Sequence, residues 1–184
     1  MLKSLGQCVN VKMYLEKEMQ VRKETCDRAG EAVCYENLGA MFQSLKEYVK
    51  ATECLEKALI IVKEIGDRAR QAVCYRNLGT VFQSLREYVK ATECLEKALV
   101  IVKGIGDKKR EAACYGNLGT VFDHQGEFLK ATEYVEKALV IFKEVGEKEG
   151  KAACYGNLGA MFHDHGEYFK ATEYLEKHLQ SAWK

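Results

Sequence analysis

A chain of 184 residues with a hydrophobic fraction of 47% has the length for one or two ordinary domains and enough apolar content for a core. Its 28 basic and 27 acidic residues leave a formal charge of +1, without the basic excess by which nucleic-acid binders declare themselves. The longest apolar run, Ala58 to Val62, falls far short of the ~20 residues that cross a bilayer. The opening MLKSLGQCVN lacks the long apolar stretch of a secretory signal, so a cytoplasmic protein without membrane association is expected.

Self-similarity organises the chain from end to end. The block EAVCYENLGAMFQSLKEYVKATECLEKALIIVKEIGDRAR at 31–70 returns at 71–110, again at 111–150, and in shortened form at 151–184, with a period of 40 and no insertion. Ahead of it, residues 5–28 align one period earlier. Leu15-Glu16-Lys17 falls on Leu55-Glu56-Lys57, and Asp27-Arg28 on Asp67-Arg68, so this segment reads as a lone second helix.

Within each full block two amphipathic patterns alternate. The first places Cys34, Tyr35, Leu38, Gly39 and Phe42 on one face of a helix; the second does the same with Ala51, Leu55, Ala58, Leu59 and Val62. A break at Leu45-Lys46-Glu47 separates them. Gly126 and Gly166 suit the left-handed position that ends a helix, and Lys46 and Arg86 strain the equivalent turns. Second helices end at Gly66, Gly106 and Gly146, and Asp27, Asp67 and Asp107 are placed as N-caps. Glycine inside a helix costs about 1 kcal/mol against alanine. Its recurrence at 39, 79, 119 and 159 therefore implies close backbone approach, helped by Ala51 on the partner helix. Glu53–Lys57, Glu93–Lys97, Glu133–Lys137 and Glu173–Lys177 are i,i+4 pairs of favourable polarity on a solvated face. Tyrosines 35, 75, 115 and 155 and phenylalanines 42, 82, 122 and 162 are assigned to packing.

At the chain's two ends the apolar pattern fails at the same columns. Glu18, Gln20 and Arg22 replace the apolar residues of 58, 60 and 62, and His178, Gln180 and Ser181 replace those of 138, 140 and 141. Polar outer faces are what terminal repeats of a solenoid require, so a self-contained array with finished ends is expected, against the alternative of drift at the edge of a longer one. Leu179 and Trp183 remain apolar and mark a candidate self-association surface.

The eight cysteines follow the repeat as well. Cys34, Cys74, Cys114 and Cys154 share one column, Cys54 and Cys94 another, and Cys8 and Cys26 stand outside. Equivalent residues of stacked helices lie roughly 10 Å apart, beyond disulfide reach, so the thiols read as small buried apolar groups in a reducing compartment.

Leu38, Gly39, Phe42, Ala51, Leu55 and Ala58 reproduce the spacing Leu-Gly-x-x-Tyr and Ala-x-x-x-Phe-x-x-Ala, four times over nearly the whole chain. The sequence thus resembles the tetratricopeptide repeat, and its 40-residue period with Asn-Leu-Gly and Gly-Asp is similar to the LGN/Pins-type subclass. The resemblance implies an all-α, right-handed solenoid of antiparallel helix pairs, about nine helices in four and a half repeats, forming one domain over 1–184. It also implies a non-enzymatic scaffold or adaptor without cofactor that binds a protein or peptide ligand, with first helices lining a concave groove.

In such a groove the columns at 33, 36, 37, 40, 43 and 44 face the ligand. Asn37, Asn77, Asn117 and Asn157 form an invariant column, and in similar families such a column bonds the backbone of an extended peptide. The competing reading has each asparagine stiffening the stack by bonding the neighbouring helix. Arg76 is the one cation placed to select a carboxylate, and Gln43, Gln83, Asp123 and His163 form a second rim. Ser44, Ser84, His124 and Asp164 follow in the next column. A carboxylate clamp is absent, since its positions read Glu36, Arg76, Gly116, Gly156 and Ala40, Thr80, Thr120, Ala160. The groove arginines of the LGN/Pins type are replaced by Val33, Val73, Ala113 and Ala153. The inferred ligand is extended and weakly charged. His124, His163 and His165 with Asp123 and Asp164 are the one grouping that invites a metal, but His-x-His on a helix diverges by about 200°, so no metal is assigned. No phosphate loop or metalloprotease motif is present to suggest catalysis. A self-assembling structural unit, or the repeat part of a larger signalling protein, are the alternative functions.

Overall fold

The computed structural model describes residues 2–182, with side chains from 13 to 181; the readings made of Cys8 and Trp183 lie outside the described residues. Among the described residues there are nine α-helices and no strand: α1 (Leu2–Glu24), α2 (Arg28–Ser44), α3 (Tyr48–Glu64), α4 (Arg68–Ser84), α5 (Tyr88–Gly104), α6 (Lys108–His124), α7 (Phe128–Glu144), α8 (Lys148–Asp164) and α9 (Tyr168–Ala182). Helices α2 to α8 each have 17 residues and are joined by three-residue turns, which fixes the period at 40.

The turns are the same device used eight times. In each, one residue enters the left-handed region: Cys26, Lys46, Gly66, Arg86, Gly106, Gly126, Gly146 and Gly166, with φ between 54° and 81°. The amide after it reaches back five residues, as in Glu47 N–H to Phe42 O (2.8 Å) and Asp67 N–H to Val62 O (2.9 Å). This is the Schellman closure, which satisfies carbonyls orphaned at the helix end. In three turns that same residue also caps the next helix with its side chain, Asp27, Asp67 and Asp107 accepting from the backbone N–H of Gly30, Arg70 and Arg110, whereas Glu47, Glu127 and Glu147 make no side-chain cap bond. The strain expected at Lys46 and Arg86 is present. Cys26, read from the sequence as outside the repeat columns, occupies the column of Gly66 and takes the same conformation.

The chain divides into two compact units, Met1–Cys94 and Leu95–Lys184, the division falling within α5. In the first, α1 packs on α2, α2 on α3 and α3 on α4, around Leu15, Leu38, Phe42, Leu55, Leu59 and Leu78. In the second, α6, α7, α8 and α9 pack in sequence around Val135, Leu139, Phe142, Leu158, Met161 and Phe162. The helical glycines are the points of closest approach. A Cβ on Gly39 would meet Leu55 Cγ at 2.7 Å, and one on Gly119 would meet Val135 Cγ2 at 2.5 Å and the Ala131 carbonyl at 3.0 Å.

Two surface features add to the sequence reading. The tyrosine column packs half-buried against the core, as expected, and lysines cover its outer side: Lys23 and Lys57 lie over Tyr35, Lys63 over Tyr75, Lys103 over Tyr115 and Lys143 over Tyr155, at 5.1–6.0 Å from the ring centroids. The lysine stems cover the rings while the ammonium groups stay wet. The second helices are also not polar throughout their outer face. Lys137–Glu133 (2.6 Å) and Lys177–Glu173 (2.5 Å) close as expected, but Val49, Val89, Leu129 and Phe169 stand exposed beside the first-turn pairs of Lys50, Lys90, Lys130 and Lys170 with the preceding glutamates.

Candidate peptide-binding face

The first helices bury the arc containing Cys34, Leu38 and Phe42, so positions 37, 40 and 44 fall on the opposite side at 100° per residue. The aspartate caps fix the phase of α2, α4 and α6, which places each asparagine ten residues after its cap. In the first unit Asn37 is exposed and Asn77 half-buried; in the second Asn117 is half-buried and Asn157 exposed.

Columns 36 and 43 turn instead toward the neighbouring first helix. Gln43 Nε2 donates to Thr80 Oγ1 (3.2 Å), whose hydroxyl donates to the Asn77 carbonyl (2.8 Å). Glu36 accepts from Arg70 Nη1 (3.4 Å) and from the Cys74 thiol (3.8 Å). Burial pushes the Glu36 carboxyl above its ordinary range, and the Arg70 charge offsets part of that rise. Burial beside Glu36 pushes the Cys74 thiol up to about 12. Gln43 and Glu36 therefore knit α2 to α4, a coupling that helical periodicity alone does not reveal. Its signal was present in the charge complement of Glu36 and Arg70, 34 residues apart.

The remaining candidates differ in how committed they are. Arg76 Nη2 donates to Asn77 Oδ1 at 3.4 Å, so this cation lies alongside the asparagine column. Gln83 is half-buried. Ser44 and Ser84 donate to the carbonyls of Ala40 and Thr80 one turn back, which occupies their hydroxyl protons. Asp123 is half-buried, and that burial raises its carboxyl, with Asp164 adding to the rise and His124 opposing it. His163 is exposed, 3.1 Å from Asp164 and edge-on to Tyr168, while His165 stacks on Phe128 with centroids 4.0 Å apart. The histidines thus face different partners rather than one centre. A Cβ on Gly116 would meet nothing within 4 Å, and one on Gly156 would stand 3.4 Å from His178 Nδ1.

Among the described residues, the side-chain amides of Asn37, Asn117 and Asn157 make no hydrogen bond within the protein. No asparagine of the column bonds a neighbouring helix through its side chain; Asn77 is engaged only by Arg76 of its own helix.

The sequence matches the tetratricopeptide repeat model over residues 31–104, 74–144 and 110–182. The chain belongs to the tetratricopeptide repeat family. No curated protein matches it. Among solved structures, this tetratricopeptide array is similar to BtubC from P. vanneervenii, at 22% identity and TM-score 0.84, covering 98% of this chain and 75% of that one. It is similar also to a putative kinesin light chain with nearly identical TPR-like repeats from Podosopora anserina, at 18% identity and TM-score 0.74, covering 97% and 89%. Aspartyl phosphate phosphatase F from Bacillus subtilis matches at 19% identity and TM-score 0.85, over 93% of this chain but 45% of its own length. These likenesses establish an all-α tetratricopeptide solenoid. Among the described residues, no helix is long and apolar enough to cross a membrane.

Proposed function

We propose that the chain is a non-catalytic scaffold whose first-helix face holds an extended peptide segment of a partner protein through Asn37, Asn77, Asn117 and Asn157. The observation that carries the reading is the state of those amides. Among the described residues, three of them have no partner inside the protein, whereas Glu36, Gln43, Ser44 and Ser84 of the neighbouring columns are spent on bonds between or within helices. A side-chain amide offers one acceptor and two donor hydrogens, which suits it to a peptide backbone of any sequence. Each such contact contributes about 1 kcal/mol net. Selectivity then falls to Arg76 and Gln83 in the first unit and to Asp123 and His163 in the second. The 40-residue period and the Asn-Leu-Gly signature support a place beside the LGN/Pins-type repeats, with an uncharged column where those carry arginines.

The test is selection of binders from a random linear-peptide library, followed by titration of the selected peptide into wild type and Asn77→Ala/Asn117→Ala protein. The double variant is expected to bind about tenfold or more weakly, at about 1 kcal/mol per amide, with its melting transition nearly unchanged. Equal binding by the two proteins would sink the proposal. A second reading, self-assembly, is favoured by Leu175 and Leu179, which are 41% and 57% exposed although Leu55 and Leu59 of the same columns are buried. Light scattering across a concentration series separates the two: mass that grows with concentration supports assembly.

A further inference from the structure

The first helices end differently in the two units. In the first unit α2 and α4 both close on Phe-Gln-Ser, at 42–44 and 82–84. In the second, α6 closes on Phe122-Asp123-His124 and α8 on Phe162-His163-Asp164. A helix C-terminus carries partial negative charge, which disfavours an acid in the last turn and favours a cation there. Asp123 is the penultimate residue of α6 and Asp164 the last of α8. The second unit thus sets carboxylates where the helices themselves gain nothing from them.

Asp123 is the more exacting of the two. In the first unit its column packs neighbouring first helices together, Gln43 Nε2 donating from α2 to Thr80 Oγ1 on α4 at 3.2 Å. The pair at the same register of α6 and α8 is Asp123 and Ala160, a carboxylate and a methyl group. Among the described residues no hydrogen bond or ion pair takes up the Asp123 carboxylate. The residue is half-buried, so water solvates it only in part. Burial raises its carboxyl and Asp164 on α8 raises it further, while His124 on its own helix offsets part of the rise. The Asp164 side chain is by contrast 80% exposed, with His163 Nδ1 at 3.1 Å. A half-desolvated charge without a donor is costly, and a cation brought by a ligand relieves that cost. Asp123 stands six residues after Asn117, about 9 Å further along α6 at 1.5 Å per residue.

We propose that Asp123 receives a lysine or arginine side chain of the peptide held on the second unit's first-helix face. The inference rests on the reading that this face holds a peptide, and narrows the ligand to a segment with a basic residue beside the stretch bonded by Asn117. The ammonium or guanidinium donates to the carboxylate as a charge-assisted hydrogen bond, at the end of a helix whose dipole also favours positive charge.

The experiment selects peptides from a random linear library on the intact wild-type chain and, in parallel, on Asp123→Gln. Lysine or arginine should be enriched at one position of the wild-type set and not of the other. One selected peptide is then titrated with its basic residue intact or replaced by glutamine. On wild type that replacement should weaken binding about tenfold, through loss of a charge-assisted contact. On Asp123→Gln it should weaken binding less than about twofold, because the pair is already broken. Glutamine is the residue of the first two repeats at this column, so Asp123→Gln should melt at or above wild type. A lower melting temperature would mark a structural role and overturn the proposal. Glu136→Gln, the same charge change on an exposed residue of α7, should discriminate as wild type does; lost discrimination there assigns the effect to net charge and overturns the proposal too. Equal discrimination by wild type and Asp123→Gln also overturns it, and if Asn77→Ala/Asn117→Ala loses binding in the same assay, the asparagine reading stands without it. A library that yields no binder removes both.

Discussion

Two glycines three residues apart in α6 should respond to alanine with opposite sign. At Gly119 the new Cβ would lie 2.5 Å from Val135 Cγ2, 3.0 Å from the Ala131 carbonyl and 3.3 Å from the Val135 amide. Valine is stiff at χ1 and the other two neighbours are backbone, so relief requires α7 to move outward. Overpacking of this kind costs about 1–3 kcal/mol, against which the better helix propensity of alanine returns about 1 kcal/mol. Because the close atoms are backbone and a branched side chain, the upper part of that range applies, and Gly119→Ala should lose about 1–2 kcal/mol net. At Gly116 a Cβ meets nothing within 4 Å, so only the propensity remains, and Gly116→Ala should gain about 0.5–1 kcal/mol. For a chain of this size that separates the two variants by roughly 3–12 °C in melting temperature, followed by circular dichroism at 222 nm. Gly119→Ala melting at or above wild type would refute the account of why glycine recurs in this column.

Further outcomes concern the turns, caps and thiols. Lys46→Gly and Arg86→Gly relieve left-handed backbone at φ 60° and 61° and should each raise stability by about 0.5–1 kcal/mol in urea melts; a loss would contradict the turn assignment. The Gly30 amide and the Arg22 guanidinium hold the Asp27 carboxyl below its ordinary value. A depressed folded-state pKa contributes stability above the unfolded value near about 4 and loses it as pH falls through the folded one. Melting temperature should therefore drop less steeply below that pH in Asp27→Asn than in wild type, and parallel curves would count against the cap. In the native protein at pH 8 a thiol reagent should modify exposed Cys26 rapidly, while buried Cys34, Cys74, Cys114 and Cys154 wait for unfolding. Burial pushes the Cys154 thiol up to about 11 and the Cys74 thiol, beside Glu36, to about 12, so rapid native-state labelling of either would overturn its placement.

The fold was legible because each turn carries its own chemistry. Aspartate after a left-handed residue, at fixed distance from glycine on the packing face, specifies where a helix stops, where the next begins and how closely they lie. Cys26 escaped notice because cysteine is not a usual left-handed residue, although the alignment of Asp27-Arg28 on Asp67-Arg68 already sets it in the column of Gly66. The binding face was less legible. The family resemblance implied a face made of columns 33, 36, 37, 40, 43 and 44, but it did not say that Glu36 and Gln43 would be consumed by Arg70 and Thr80 of the next first helix. That depends on how neighbouring helices splay, which a single helix's pattern does not encode.

The most direct test of the central claim reads the asparagines themselves. With a library-selected peptide added to wild-type protein, the side-chain NH2 resonances of Asn37, Asn77, Asn117 and Asn157 should shift, and their hydrogen exchange should slow as the amides bond the ligand backbone. A bound peptide that leaves all four pairs of resonances where they were would contradict the account.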